Sequence, residues 1–221
     1  MILHHLERSR SHRILWLLEE LALPYELKTY KRDPKTMRAS RDLRQIHPLG
    51  KSPLLEFDGE VFAESGAIVE AVLDHAGGRL RPTEPKALIQ YRHWLHFAEG
   101  TLMTPLLIAL MTSRMAGPDI PFLVRPIVKK VAAKIDATFT TNELKNNFAF
   151  IESHLAENTW FAGNELSGAD IMMSFPIAAG VARAGMTTAS HPHTLAWFAR
   201  VEARPAYQTA LERGGPVIIG A

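Results

Sequence analysis

Glu64, Ser65 and Gly66 stand where a strand-like run, "EVFAE", gives way to a helical one, "SGAIVEAVLDHAGG". The first N–H groups of a helix have no intrahelical partners and carry partial positive charge, so such a mouth favours a carboxylate. Ser65 is also a candidate N-cap and Glu64 complements the helix dipole; a purely structural role and a ligand-binding role are compatible here. Upstream, Pro53 opens the run "PLLEF", where it gives up a backbone donor. Cysteine is absent. That removes disulfides, thiolate metal sites and a catalytic cysteine together, so any thiol chemistry must use the sulfur of a bound molecule. The ten histidines suggest no metal site. His93, His96 and Glu99 share a helical face, but not in the His-Glu-x-x-His arrangement of zinc hydrolases. Arg125, Lys129, Lys130 and Lys134 read as one solvated helix side.

The elements that must position these residues fall into two groups. "MILHHL" is a short apolar strand, and "SHRILWLLEELAL" is a helix with Ile14, Leu15, Leu17, Leu18 and Leu21 on one face. Pro24 ends that helix, and "YELKTY" alternates as a strand, giving a right-handed parallel unit. Residues 31 to 52 are basic and turn-rich, with a short helix near Arg41 to Gln45. "PLLEF" and "EVFAE" flank Asp58-Gly59, a strong hairpin signal, because that turn needs positive φ at both central residues. The helix that follows runs to Gly77, a candidate C-cap. The order predicts one sheet with parallel and antiparallel strands. "GGRLRPTEPK" reads as a linker. The organisation expected is an α/β domain over 1–78, a linker over 79–86 and an all-helical domain over 87–221.

Helical periodicity beyond the linker runs from about Lys86 to Met115 and Ile127 to Leu155. Shorter segments follow from Ala169 to Ala184, His193 to Ala203 and Ala206 to Arg213. Pro105, Pro126 and Pro176 are expected to kink or bound these helices. In "ELSGADIMM", Ser167 and Asp170 have capping-box spacing, and Leu166 and Ile171 can staple the entry. The 221 residues carry a formal charge of +2 with both signs interspersed, which implies neither a nucleic-acid nor a membrane partner. No run of about 18 apolar residues stands out, so no membrane span is expected. The first ten residues are charged and lack a small-residue cleavage site, so a cytoplasmic protein is the expectation.

The strand-opening Pro53, the Asp58-Gly59 hairpin, "ESGAI" opening a helix, the proline-containing linker and "WFAGNELSGADI" together resemble the cytosolic glutathione S-transferase superfamily. The resemblance covers essentially the whole chain. "LERSRSHRILWLLEELALPYEL" is similar to a bacterial and fungal, serine-type branch of it. The resemblance implies a thioredoxin-like N-terminal domain, β-α-β-α-β-β-α with a mixed four-stranded sheet, followed by the all-α domain. It implies a cis Ser52–Pro53 bond, with the Ser52 main chain facing outward to pair with the cysteinyl backbone of glutathione as an added strand. It also implies that the Ser65 hydroxyl and N–H hold the γ-glutamyl carboxylate, that Glu64 takes the ammonium, and that Lys51 holds the glycine carboxylate. Arg10 and His47 are further candidates for that carboxylate, though each also reads as a plain surface charge, and relatives more often carry asparagine at His47.

A free thiol has a pKa near 8.5, so a catalyst must favour its anion. Ser9 and Ser11 in "RSRSHR" are the candidate hydroxyls, and no tyrosine lies near them. In serine-type relatives the catalytic serine stands four residues before an arginine early in the first helix. Arg13 thus points to Ser9, leaving Ser11 as N-cap; the reverse assignment is the alternative. Met103, Leu107, Met111 and Met115 recur at four-residue spacing. Such stripes are usually core, yet this helix would border the interdomain cleft, and Met103, Leu107 and Met111 are the candidates for an adaptable second-substrate pocket. The expected function is transfer of glutathione, as co-substrate with no covalent cofactor, to a small apolar electrophile, in a detoxifying homodimer. Peroxide reduction would use the same site. A non-catalytic ligand-binding, stress or interaction protein on the same fold is the alternative.

Overall fold

β1 (Ile2–Leu6) is the strand around which the first half is built. It pairs in parallel with β2 (Glu26–Tyr30) and antiparallel with β3 (Leu54–Phe57), and β3 pairs with β4 (Glu60–Ala63). The sheet order is β2-β1-β3-β4. The computed structural model describes residues 1–34, 36–39, 41–115, 117, 120–183 and 185–217. A central strand is covered on both faces, and Leu3, His4, His5 and Leu6 are all buried. The buried histidines find polar partners: His4 meets the Tyr30 hydroxyl at 2.9 Å and Glu56 at 2.6 Å. The expected hairpin forms, with φ of 52° at Asp58 and 81° at Gly59.

Helices α1 (Ser11–Glu20), α2 (Leu43–Ile46) and α3 (Ser65–His75) complete the α/β half. The apolar face of α1, Ile14 to Leu18, is buried in the core. Helix α3 ends in a Schellman arrangement at Gly77, whose φ is 68°. There the Gly77 N–H donates to Asp74 O and the Gly78 N–H to Leu73 O.

The second half is helical: α4 (Pro85–Phe97), α5 (Met103–Met115), α6 (Arg125–Ile135), α7 (Thr141–Glu157), α8 (Gly168–Arg183), α9 (Pro192–Glu202) and α10 (Pro205–Gly214). Two wide π-helical turns interrupt it, Ala98–Leu102 between α4 and α5 and Asp136–Thr140 between α6 and α7. The first makes Pro85–Met115 one helical run of 31 residues, apolar enough by length and composition to cross a membrane. The sequence reading did not anticipate this. In the fold Tyr91, Trp94, Leu95, Leu102 and Leu106 on that run are buried in the core shared with α1, α3, α7 and α8.

The start of α8 is locked as its sequence suggests. Ser167 N–H and Oγ–H both donate to Asp170 Oδ2 at 2.9 Å, while Phe161 N–H and Trp197 Nε1–H donate to Oδ1 at 3.0 Å. Burial pushes the fully enclosed Asp170 carboxyl up to about 6, against the pull of these four donors. The Gly168 N–H donates to Leu80 O at 2.9 Å. A Cβ at Gly168 would lie 2.9 Å from Val69 and 3.0 Å from Leu73, so glycine is what lets α8 approach α3.

Three expectations are corrected. Ser11 is the first residue of α1 and not its N-cap. Ser65 likewise opens α3, and Glu64, at φ 69°, is the capping position with no side-chain cap bond. Pro176 neither bounds nor ends its helix but lies inside α8, for a reason given below. The expected end of that helix at Ala184 lies outside the described residues.

Candidate active site

The turn between β1 and α1 carries the two serines, and side chains from elsewhere set its shape. Arg32 donates to Glu7 O at 3.2 Å, Arg8 O at 3.1 Å and Met37 O at 2.9 Å, holding Arg8 in the left-handed region at φ 51°. Arg10 is the N-cap of α1 and makes no side-chain cap bond; Ser9, one residue earlier, accepts the Ser11 N–H on its Oγ at 3.2 Å, closing a local turn ahead of the helix.

The two hydroxyls lie 2.8 Å apart, and their different partners separate their roles. Ser11 is fully buried. Its Oγ accepts from the Leu6 N–H and meets His5 Nδ1 at 2.9 Å. The other ring nitrogen of His5 lies 2.9 Å from Gly214 O. A carbonyl can only accept, so Nε2 carries a proton, and burial holds the imidazole pKa below its ordinary value. The neutral ring therefore offers Nδ1 as an acceptor, and Leu6 O, 3.2 Å from Ser11 Oγ, offers a second, so the Ser11 proton is spent on these buried acceptors. Between the serines, Ser9 must be the donor. Ser9 also borders a cleft of about 1420 Å³ between the sheet domain and helices α5 and α8, whereas Ser11 does not.

That cleft brings together Ser9, Arg10, Lys51, Ser52, Met103 and Leu107 from among the residues singled out by sequence. Pro53, His47, Glu64, Ser65 and Met111 lie outside its lining. The Ser52–Pro53 bond is cis, and Ser52 Oγ is tied to β1, donating to His4 O at 2.9 Å and accepting from Leu6 N–H at 3.1 Å. His47 caps its own turn, its Nδ1 accepting from Leu49 N–H at 3.3 Å. Met111 is 57% exposed. Four-residue steps overrun the 3.6-residue turn by about 40° each, so a strict i+4 stripe rotates off any one face. The residues of α5 that keep to the cleft are Met103, Leu106, Leu107, Leu110 and Arg114, at mixed spacings of three and four.

Near the start of α1 lies a charged group that the sequence reading did not assemble. Arg13 is fully buried, and its guanidinium donates to Ser65 Oγ at 2.9 Å, Met172 O at 2.9 Å and Glu99 at 2.5 Å. Burial pulls the Arg13 pKa down, and Glu99 opposes that. Burial alone would raise the Glu99 carboxyl, yet Arg13 and Arg10 outweigh it and hold the pKa below the ordinary value. Arg10 Nε reaches both Glu99 oxygens, at 2.9 and 3.0 Å. Both guanidiniums lie over the Phe175 ring, at 5.8 and 5.6 Å. Because Arg13 donates to Ser65 Oγ, the Ser65 proton remains available to another acceptor. Glu64, exposed at the mouth of α3, acts on Arg13 electrostatically. Glu99 was weighed in the sequence only as a partner of His93 and His96. His93 instead packs against Trp94, Phe97 and Phe150.

A mixed four-stranded sheet with a cis-proline edge, joined to a helical domain across a cleft bordered by a serine at the first helix, defines a thioredoxin-like two-domain class. The glutathione S-transferase N-terminal domain family matches residues 1–73, and the C-terminal domain family matches residues 113–205. The chain is 35% identical over 219 residues to glutathione S-transferase 1 of Saccharomyces cerevisiae, covering 95% of this chain and 93% of that protein. It is 36% identical over 215 residues to glutathione S-transferase 3 of Schizosaccharomyces pombe, covering 96% and 87%. A crystal structure of a glutathione S-transferase from Actinobacillus pleuropneumoniae superposes with a TM-score of 0.79 at 32% identity, over 96% of this chain and 92% of that one. The chain belongs to the glutathione S-transferase family.

Proposed function

We propose that the protein binds glutathione against its sheet domain, that Ser9 stabilises the thiolate, and that the sulfur attacks an electrophile held against α5 and α8. The observation that carries this reading is the asymmetry of the serine pair. Ser9 borders the cleft and donates to a neutral neighbour, while Ser11 is enclosed with its proton taken by buried acceptors, His5 Nδ1 and Leu6 O. When an anion arrives, the Ser9 O–H turns from Ser11 to the sulfur, and Ser11 Oγ still accepts from Leu6 N–H. A neutral hydrogen bond is exchanged for a charge-assisted one, about twice as strong.

In this reading Lys51 and Arg10 face the glycine carboxylate, and the Ser52 main chain pairs with the cysteinyl unit. Ser65 and Glu64 at the mouth of α3 take the γ-glutamyl end. Ser65 suits that task because Arg13 supplies the bond its oxygen accepts, leaving N–H and O–H both to donate. Met103 and Leu107 supply an apolar wall for the second substrate. The reading extends to a cytoplasmic homodimer with a binding domain over 1–78, a linker over 79–86 and a helical domain over 87–221. Reduction of an organic hydroperoxide would use the same thiolate: sulfur takes the terminal oxygen as the O–O bond breaks and the alcohol leaves, giving a sulfenic acid that a second glutathione converts to the disulfide and water.

Retention on immobilised glutathione, followed by turnover of an aromatic halide and of an organic hydroperoxide, tests the reading. Retention with halide conjugation is expected. Retention without turnover of any electrophile would leave a ligand-binding protein, and no retention would remove the glutathione site altogether.

A further inference from the structure

The basic side of α6 stands beside apolar residues that the fold leaves uncovered. Phe122 and Leu123, just before the helix, are each 75% exposed, Ile127 is 65% exposed, and Val124 and Val131 are close to half exposed. The helix packs against α5, and Val128, Ala132 and Ile135 are its more enclosed positions. At about 100° per residue, Val131, Ile127, Lys134 and Lys130 follow one another around the helix, just beyond that enclosed face. The outer surface of α6 is therefore an apolar strip edged by lysines.

The charge there is of one sign, although the chain as a whole is nearly balanced at +2. From Ile120 to Ile135 the sequence holds Arg125, Lys129, Lys130 and Lys134 and no acidic residue. The acids at either end are Asp119 and Asp136, and Thr112 and Thr140 donate to the Asp136 carboxylate at 2.7 and 2.9 Å. Arg125 donates to Ile120 O at 2.8 Å. Lys129, Lys130 and Lys134 are exposed and make no side-chain hydrogen bond or ion pair among the described residues.

A partner for this surface must be apolar and anionic in adjoining layers. A second copy docking by the same face would set lysines against lysines, since a two-fold contact matches a patch with itself. A bilayer with anionic lipids presents acyl chains beneath a negative headgroup layer. A short helix with an apolar strip and lysines beside it lies in that plane, its lysine stems reaching back to the headgroups. We infer that α6 and the segment leading into it form a docking surface for an anionic lipid bilayer, with Phe122, Leu123, Val124, Ile127 and Val131 entering the acyl boundary and Lys130 and Lys134 meeting the headgroups. The docking does not depend on the glutathione reading. If that reading holds, α5, which packs on α6 and carries Met103 and Leu107 into the cleft, is brought beside a phase in which apolar electrophiles collect.

The test is flotation of the full chain with vesicles of phosphatidylcholine alone and of phosphatidylcholine and phosphatidylglycerol in equal parts. One lysine near an anionic surface is worth about fivefold in affinity, so the three together should favour the mixed vesicles by about a hundredfold, less at high salt. Lys129→Gln with Lys130→Gln and Lys134→Gln should remove most of that ratio. Phe122→Ser with Leu123→Ser should weaken binding to both vesicles by about tenfold or more. Urea unfolding and gel filtration accompany each variant, and Ile127→Ser replaces the double substitution if that one unfolds early. No binding of the wild type to mixed vesicles overturns the inference, and is the result an acidic protein partner would give. Equal binding to neutral and mixed vesicles overturns it too. So does binding that the Phe122 and Leu123 substitutions leave unchanged, which marks plain attraction of cations to lipid, or loss of a dimer in that variant, which assigns the face to a second copy.

Discussion

Replacing Ser9 and Ser11 one at a time separates two hydroxyls only 2.8 Å apart, because their hydrogen-bond partners predict shifts of opposite sign. With bound thiol, Ser9 donates to Ser11, a neutral bond contributing about 1 kcal/mol net. With bound thiolate, it donates to sulfur, a charged bond contributing roughly 1.5–3 kcal/mol. The difference of about 0.5–2 kcal/mol favours ionisation and corresponds to about one pH unit in the thiol pKa at ~1.4 kcal/mol per unit. Ser9→Ala should therefore raise the apparent pKa of bound glutathione by about that much. Ser11→Ala removes the neutral acceptor that competes for the Ser9 proton, so the pKa should stay or fall slightly. It also strips the buried His5 Nδ1 of its partner, while Leu6 N–H keeps Ser52 Oγ, which should cost about 1–3 kcal/mol of stability. The assay is an ultraviolet pH titration of the bound thiolate in all three proteins, with urea unfolding alongside. A raised pKa in Ser11→Ala and an unchanged one in Ser9→Ala would refute the assignment of donors.

Glu99→Gln leaves the fully buried Arg13 without a counter-charge; since Glu99 itself is one-third exposed, the loss should fall near the lower end for a broken buried pair, about 3 kcal/mol in urea unfolding. A loss below about 1 kcal/mol would show that the pair is solvated in solution. Asp170 has its folded pKa raised to about 6, above the 3.8 of an ordinary carboxyl, so its protonated form is the one that folding favours. Its contribution is complete below about pH 4 and is lost as pH rises through 6. Between pH 7 and pH 5 the wild type should therefore gain about 1.4 kcal/mol relative to Asp170→Asn, and parallel pH profiles of the two proteins would contradict this.

The sheet and its hairpin were legible in the sequence because they depend on local chemistry. Asp58-Gly59 specifies a turn, and Pro53 marks the strand start wherever it occurs. The β1–α1 turn was less legible. Its geometry is decided by Arg32, His5 and Leu6, which reach it from the loop after β2 and from β1, so Ser11 reads as a cap in one dimension and becomes a cross-tie to β1 in three. The pocket stripe failed at Met111 for a geometric reason, since i+4 repetition drifts around the helix and alternating steps of four and three do not. Glu99 was unreadable because the π-helical turn that carries it toward α1 leaves no periodic signature.

Arg13 and Pro176 show how two readings, each sound alone, miss the interaction that joins them. Arg13 stood out as the marker for Ser9, and Pro176 as a residue that should kink or bound its helix. A proline inside a helix removes the N–H that would serve the carbonyl four residues back, here Met172. That carbonyl is the one Arg13 Nη1 meets at 2.9 Å. The helix therefore continues through Pro176 because a guanidinium from the other domain replaces the missing donor, and Arg13 tolerates full burial because Pro176 has released an acceptor for it. Glu99 and Ser65 occupy its remaining directions, so one side chain ties α1 to α3, to the wide turn before α5 and to α8. The elements that border the cleft are thus held by a buried cation one helical turn along the chain from the residue proposed to stabilise the thiolate. Substituting methionine at Arg13 would leave Glu99 to Arg10 alone and Met172 O without its donor, and placing an ordinary helical residue at Pro176 would supply Met172 O with a competing N–H. The two positions should therefore couple in a double-mutant cycle despite lying 159 residues from the shared carbonyl to the guanidinium in sequence.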